Sequence, residues 1–209
     1  PHLRGNAMLL VSLVPHALLR SLPWPLVPRT ESASLSALNG QCWLVDAEVY
    51  HAHEPHEYVK NAVLEDVAIG RYLKSQGHPP TLVDVQDLVS VYMYESYGAA
   101  WRGFRKNAYL LLGGTAPRFA VLYTGFVLTW LVAPILSLWF LVSLYGLKGV
   151  TDRASGASLT VTLLAPVSYL LGLVLQIDSA FHHWIGHVSW KGRSVPSSAL
   201  PPTSPADSD

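Results

Sequence analysis

Glu65 and Asp66 stand side by side at the point where a helical pattern begins. Leu64, Val67, Ala68 and Tyr72 recur at helical spacing from Val63 onward, and Gly77 is placed to end the run. Both carboxylates therefore fall in a first turn, where amide N–H groups still lack partners and the helix dipole favours negative charge. A carboxylate held there stays ionised at neutral pH, as a general base must. The same pair can also do no more than start a helix, since acidic first turns are common. Histidine supplies the other reactive groups. His51, His53 and His56 cluster around Glu54, and in an extended link His51 and His53 point to one side. Pro55 and the lack of a neighbouring cysteine or second histidine pair favour a surface loop over a metal centre. His183 and His187 are four apart, but Trp184 stands where a zinc protease needs a glutamate. Trp184, His187 and Trp190 fit an interfacial aromatic belt instead. No metal ligand is assigned. Cys42 lies in a Cys-Trp-Leu-Val run and reads as a small core residue, not a nucleophile.

The elements that must position these groups can be read on either side. Leu44 and Val45 predict a short buried strand before the helix, and Thr81–Val85, rich in β-branched residues, predicts another after the His78-Pro79-Pro80 turn. A further apolar run covers Leu88–Tyr94. Glu95 or Ser96 then opens a helix through Trp101 and Phe104 to Leu110, in which Arg102, Arg105 and Lys106 alternate with aromatic residues. Such a helix suits a membrane surface, its rings at the interface and its cations reaching phosphates. Ala7–Val27 is apolar, but Arg20 and three prolines make it a broken amphipathic helix that does not span.

Two spans are expected. Phe119–Leu147 is about 29 residues without a charge, roughly 43 Å as a helix, and reads as one tilted crossing kinked at Pro134. Leu159–Ile177 supplies the second, with Asp178 closing it. Arg102, Arg105, Lys106 and Arg118 precede the spans and Lys191 and Arg193 follow them, whereas only Lys148 and Arg153 occupy the intervening loop. Both ends are therefore expected on the cytoplasmic side.

Composition agrees with a membrane location. Half of the 209 residues are hydrophobic and 13% are charged. The 14 basic and 14 acidic residues balance, which leaves no electrostatic case for nucleic acid as a partner. A single cysteine excludes an internal disulfide framework.

Asn39-Gly40-Gln41, the aromatic and apolar run after it, His56-Glu57, Leu64-Glu65-Asp66, Arg71, Lys74 and Gly77 occur in an order and spacing that resembles family 2 glycosyltransferases. The likeness is to the membrane-attached, inverting members similar to ceramide, hopanoid and carotenoid glycosyltransferases. It runs from about Ser36 to Asn107 and resumes at Val188-Ser189-Trp190-Lys191-Gly192-Arg193. Three departures are visible. Glu54-Pro55 replaces two glycines before the histidine. No Asp-x-Asp occurs, Asp84 and Asp87 being three apart. The Gln-x-x-Arg-Trp signature of processive members is reduced to Trp101-Arg102.

The resemblance implies an α/β fold with membrane helices. Residues 36–94 would form the C-terminal half of a GT-A type domain, preceded by an interfacial segment over 1–35. An interfacial helix over 95–117, a membrane region over 118–178 with spans at 119–147 and 159–177, an interfacial segment over 179–193 and a disordered tail over 194–209 would follow. It implies transfer of a sugar from a nucleotide-sugar donor to a lipid or polyisoprenoid hydroxyl at the cell (inner) membrane, by a multi-pass protein with its catalytic part in the cytoplasm. Asp66 would be the base, with Glu65 orienting it. Asn39, Gly40 and Gln41 would line the acceptor side, His56 would lie near the donor–acceptor pocket, and Trp101 and Arg102 would contact acceptor sugar and donor diphosphate. A divalent cation, magnesium or manganese, is expected in the full-length enzyme with its ligands upstream of Pro1, so the chain is expected to be an inactive fragment by itself. The competing expectation is a non-catalytic two-span scaffold or transport subunit with a small cytosolic domain.

Overall fold

In the computed structural model, residues 6–186 are described apart from 22, 37, 61, 82, 84, 86, 87, 90 and 92, together with 189, 190, 193 and 194. The described helices are α1 (Met8–Val11), α2 (Leu13–Ser21), α3 (Ala47–His53), α4 (Pro55–Tyr58), α5 (Glu65–Ser75), α6 (Tyr97–Leu111), α7 (Ala116–Val127), α8 (Ala133–Leu136), α9 (Leu138–Ala154), α10 (Leu159–Leu163) and α11 (Ala165–Trp184). The only strand pairing among the described residues joins β1 (Ser189–Trp190) to β2 (Arg193–Ser194), two residues each. The expected α/β GT-A architecture is thus overturned: the chain is helical. It divides into two compact units, one built on residues 23–84 and one on residues 6–21 and 85–194.

In the first unit, Val59, Ala68, Ile69 and Leu73 form the core, and Trp43, Val45, Val49, Tyr58 and Tyr72 pack on it. The strand expected at Leu44–Val45 does not form. A strand needs a partner for its amides, and none of the described residues supplies one. Leu44 is 95% exposed, and Asp46 immediately caps α3, its Oδ1 accepting the N–H groups of Glu48 and Val49 at 2.8 and 3.2 Å. Cys42, expected in the core, is exposed for the same reason. The strand expected over Thr81–Val85 includes residues outside those described, as do parts of Leu88–Tyr94 and of the closing motif and all of 195–209.

The helix carrying the acidic pair forms as expected, with Glu65 and Asp66 in the first turn of α5 and Gly77 beyond its end at φ 89. Two contacts pin it within the unit. A Cβ on Gly70 would lie 3.0 Å from Ser36 Oγ and 3.2 Å from the Leu38 nitrogen, so only glycine admits that close approach. Lys74 is buried, and its ammonium donates to Val27 O at 2.7 Å, Leu35 O at 3.0 Å and Thr30 Oγ1 at 3.2 Å, using all three protons.

The second unit centres on α11, which packs along α6 and against α1 and α2. Its buried residues mix small ones, Ala165, Ser168, Gly172, Ser179 and Ala180, with the larger Tyr169, Leu173, Leu175 and His183. A Cβ on Gly172 would come 2.9 Å from Leu13 Cδ1, so the absent side chain leaves room for the Leu13 side chain. α6 opens as expected at Ser96, whose Oγ accepts the Ala99 N–H at 3.2 Å.

Several membrane expectations change. The first span is not one helix kinked at Pro134. α7 runs through a π-helical stretch, Leu128–Val132, into α8, which absorbs Pro134 near its start, and the break falls at Ser137, whose backbone is extended. Among the described residues one helical run, Ala116–Leu136, is long and apolar enough to cross a membrane. The second expected span, Leu159–Ile177, falls on α10 and α11, and Asp178 does not close it, since α11 runs on to Trp184. Lys148, expected in a loop, lies inside α9 and is fully buried, paired with Asp152.

Candidate functional site

The loop before α3 and the start of α5 meet through one hydrogen bond. The Gly40 N–H donates to Asp66 Oδ2 at 3.1 Å, across 26 residues of sequence. The loop is shaped for this by Asn39, whose Oδ1 accepts the Gln41 N–H and whose carbonyl accepts the Cys42 N–H, both at 3.1 Å. Asp66 Oδ1 accepts the Val67 N–H at 2.9 Å. Two amide donors thus orient the carboxylate, while lone pairs remain on both oxygens. A Cβ on Gly40 would stand 2.9 Å from Asp66 Oδ2, so glycine is what allows the loop to sit there. Glu65 is exposed beside it.

His56 is held from two sides. Its Nδ1 lies 2.9 Å from the Tyr50 hydroxyl, and its ring stacks on Trp43 with centroids 5.6 Å apart. Neither partner is expected from the sequence, which reads the stretch after Tyr50 as a histidine-rich link. The signal that exposes them is Asp46 followed by Ala-Glu-Val, an N-cap and acidic first turn. Between the two helices Glu54 takes φ 39, in the left-handed region, and Pro55 starts α4. The turn needs a positive φ, and a glutamate adopts it. His51 and His53 lie on α3, where residues two apart do not share a face. His53 instead faces His78, ring centroids 5.1 Å apart.

Arg71 is half-buried in α5, with its Nε enclosed and without a hydrogen-bond partner, and burial pulls its guanidinium below its ordinary pKa.

Trp101 and Arg102 lie in the other unit, on α6. The Trp101 Nε1–H donates to Asp178 Oδ2 at 2.7 Å, Arg105 Nη1 is 3.8 Å from the same oxygen, and His182 Nδ1 is 3.1 Å from Oδ1. Asp178, expected to close a span, therefore joins α6 to α11 from within a helix. Ser179 adds to that joint, accepting the Tyr109 N–H at 2.8 Å and donating to the Arg105 carbonyl.

Among the described residues no three His, Cys, Asp or Glu side chains are grouped to hold a metal ion. The described residues of the Asp66 site do not fit a divalent-cation centre. No family model matches this chain, nor does any curated protein or solved structure.

Proposed function

We propose that this chain carries the acceptor side of a membrane-attached, inverting sugar transferase. The observation that supports it is the Gly40–Asp66 hydrogen bond, which brings together two separated pieces of the glycosyltransferase-like motif at an oriented carboxylate. Asp66 takes the proton of an acceptor hydroxyl as that oxygen bonds to the anomeric carbon, and the bond to the nucleoside diphosphate breaks with its electron pair leaving on the diphosphate. Glu65, exposed next to it, contacts the acceptor. Asn39 and Gln41 shape the loop that holds the base, and His56 offers a ring edge from the same unit.

The acceptor is a lipid or polyisoprenoid hydroxyl, because the second unit is built for a bilayer. The run that is long and apolar enough to cross is only 11% buried. Outward apolar residues continue past it on α9, α10 and α11, including Trp139 at 82% and Leu159 at 72% exposure. Lys148, Asp152, Ser168 and Ser179 are turned inward. Apolar outside and polar inside is the arrangement a hydrocarbon solvent favours. The protein is multi-pass at the cell (inner) membrane, with two crossings. Arg102, Arg105, Lys106 and Arg118 precede the crossings, whereas Arg153 and the Asp152-paired Lys148 lie between them, and both ends face the cytoplasm.

Two experiments test this. Release of nucleoside diphosphate from nucleotide-sugar donors is measured in membranes expressing the gene product that contains this chain, with and without added magnesium or manganese. Turnover that disappears in Asp66→Asn is expected, and turnover indifferent to Asp66 and Glu65 overturns the assignment. Reporters fused after Asn107, within Ser155–Ala157 and after Arg193 test orientation. A tail reporter opposite in side to the Asn107 reporter excludes two crossings.

A further inference from the structure

α3 ends at His53, Glu54 reverses the backbone, and α4 brings His56 back against Tyr50 of α3. The Tyr50 hydroxyl and His56 Nδ1 are 2.9 Å apart, and the Trp43 ring covers the imidazole at an interplanar angle of 30°. Position and plane of the ring are therefore set, yet His56 remains exposed. Between a phenol and a neutral imidazole, the phenol is the stronger acid and donates the proton. Nδ1 is then the acceptor, and the imidazole proton sits on Nε2. Trp43 follows Gly40 by three residues, so the loop that orients Asp66 also braces His56.

We propose that Tyr50 is a positioning residue that locks His56 in the Nε2–H tautomer, so that its exposed edge presents one hydrogen-bond donor to a hydroxyl oxygen of the acceptor or sugar. The identity of that ligand rests on the transferase reading; the tautomer lock rests on geometry alone. With the ring turned or the proton on Nδ1, the same edge would offer a lone pair instead and would compete with Asp66 for the hydroxyl proton. A fixed Nε2–H divides the labour: His56 donates to an oxygen and Asp66 receives the proton.

The lock is read by nitrogen NMR of the full chain in detergent micelles, labelled at the histidine rings, at alkaline pH. The His56 signals are identified by their loss in His56→Gln. The native chain should show the Nε2-protonated pattern, and Tyr50→Phe, which keeps the ring and loses the hydroxyl, should show a mixture of tautomers. An Nδ1-protonated pattern in the native chain, or a pattern unchanged in Tyr50→Phe, overturns the proposal. Should Tyr50→Phe fail to fold, the native pattern alone decides. Turnover in membranes separates this proposal from the one it rests on. His56→Gln, which keeps an N–H donor, should retain more turnover than His56→Ala. If Asp66→Asn leaves turnover intact while the tautomer responds to Tyr50, the transferase reading fails and the lock stands. If Asp66→Asn abolishes turnover while the tautomer ignores Tyr50, the lock alone fails.

Discussion

Residues 23–84 bury Val59, Ala68, Ile69 and Leu73 and leave Gly40, Gln41, His56 and Glu65 exposed. Residues 6–21 and 85–194 also bury apolar residues, Leu10, Trp130 and Tyr169 among them, but enclose Lys148, Asp152, Ser168 and Ser179 as well, while Ile135, Leu138 and Trp139 stand outward. One region is organised as a small water-facing core with polar chemistry on its surface. The other hides its polar groups between helices and shows apolar side chains to its surroundings. The contrast tells where each kind of polar group acts. In the first region polar groups meet at an open edge, as the Gly40 N–H and the Asp66 carboxylate do, with buried Lys74 the exception. In the second they hold helices together: Lys148 reaches Ser12 on one side at 3.0 Å, and Asp152 accepts the Thr162 hydroxyl on the other at 2.8 Å.

The largest effect that sharpens this contrast is on turnover. Asp66→Asn should lower it by about 10²–10⁴-fold, roughly 3–5 kcal/mol of barrier, with the helical content unchanged. Glu65→Gln should cost less. Equal and normal turnover in both variants would make the acidic pair only a helix start and erase the functional side of the comparison.

Next is the buried pair. Asp152→Ala leaves the Lys148 ammonium enclosed and unpaired, a loss of about 3–5 kcal/mol that a thermal melt in detergent should register. Replacing both residues, Lys148→Met with Asp152→Leu, should recover most of it. A single variant as stable as the native chain would show that the pair is not enclosed.

Trp101→Phe removes the indole donor to Asp178 and should destabilise the α6–α11 joint by about 2 kcal/mol, the worth of a hydrogen bond to a charged group. A double-mutant cycle with Asp178→Asn measures that coupling. Additive losses would mean that Trp101 is free of Asp178 and open to a ligand.

The smallest effect is at the α3 cap. Asp46→Ala should cost about 1 kcal/mol, visible as faster hydrogen exchange of the α3 amides and not of α6. Exchange that rises equally in both helices would argue against two separate units.

Local patterns were enough to announce some elements. The periodicity of Leu64, Val67, Ala68 and Tyr72, closed by Gly77, marks α5 and puts Glu65 and Asp66 in its first turn. Ser96 marks the start of α6 in the same way. The uncharged run from Phe119 marks apolar helix, though not where it breaks, because a π-helical stretch relieves Pro134 and the interruption moves to Ser137. These features depend on neighbours within a turn or two, so sequence carries them. The rest depends on partners far away along the chain. Whether Leu44 joins a strand rests on a second strand lying beside it, and none of the described residues provides one. Whether Lys148 lies in a loop or in the interior rests on Asp152, Ser12 and Thr162 closing around it. The small residues at positions 165, 168, 172 and 179 hint at a close helix contact, but only packing shows which helices they admit. That Gly40 meets Asp66, and Tyr50 meets His56, was decided by tertiary structure, because each is a hydrogen bond whose two ends are set by how separate elements pack.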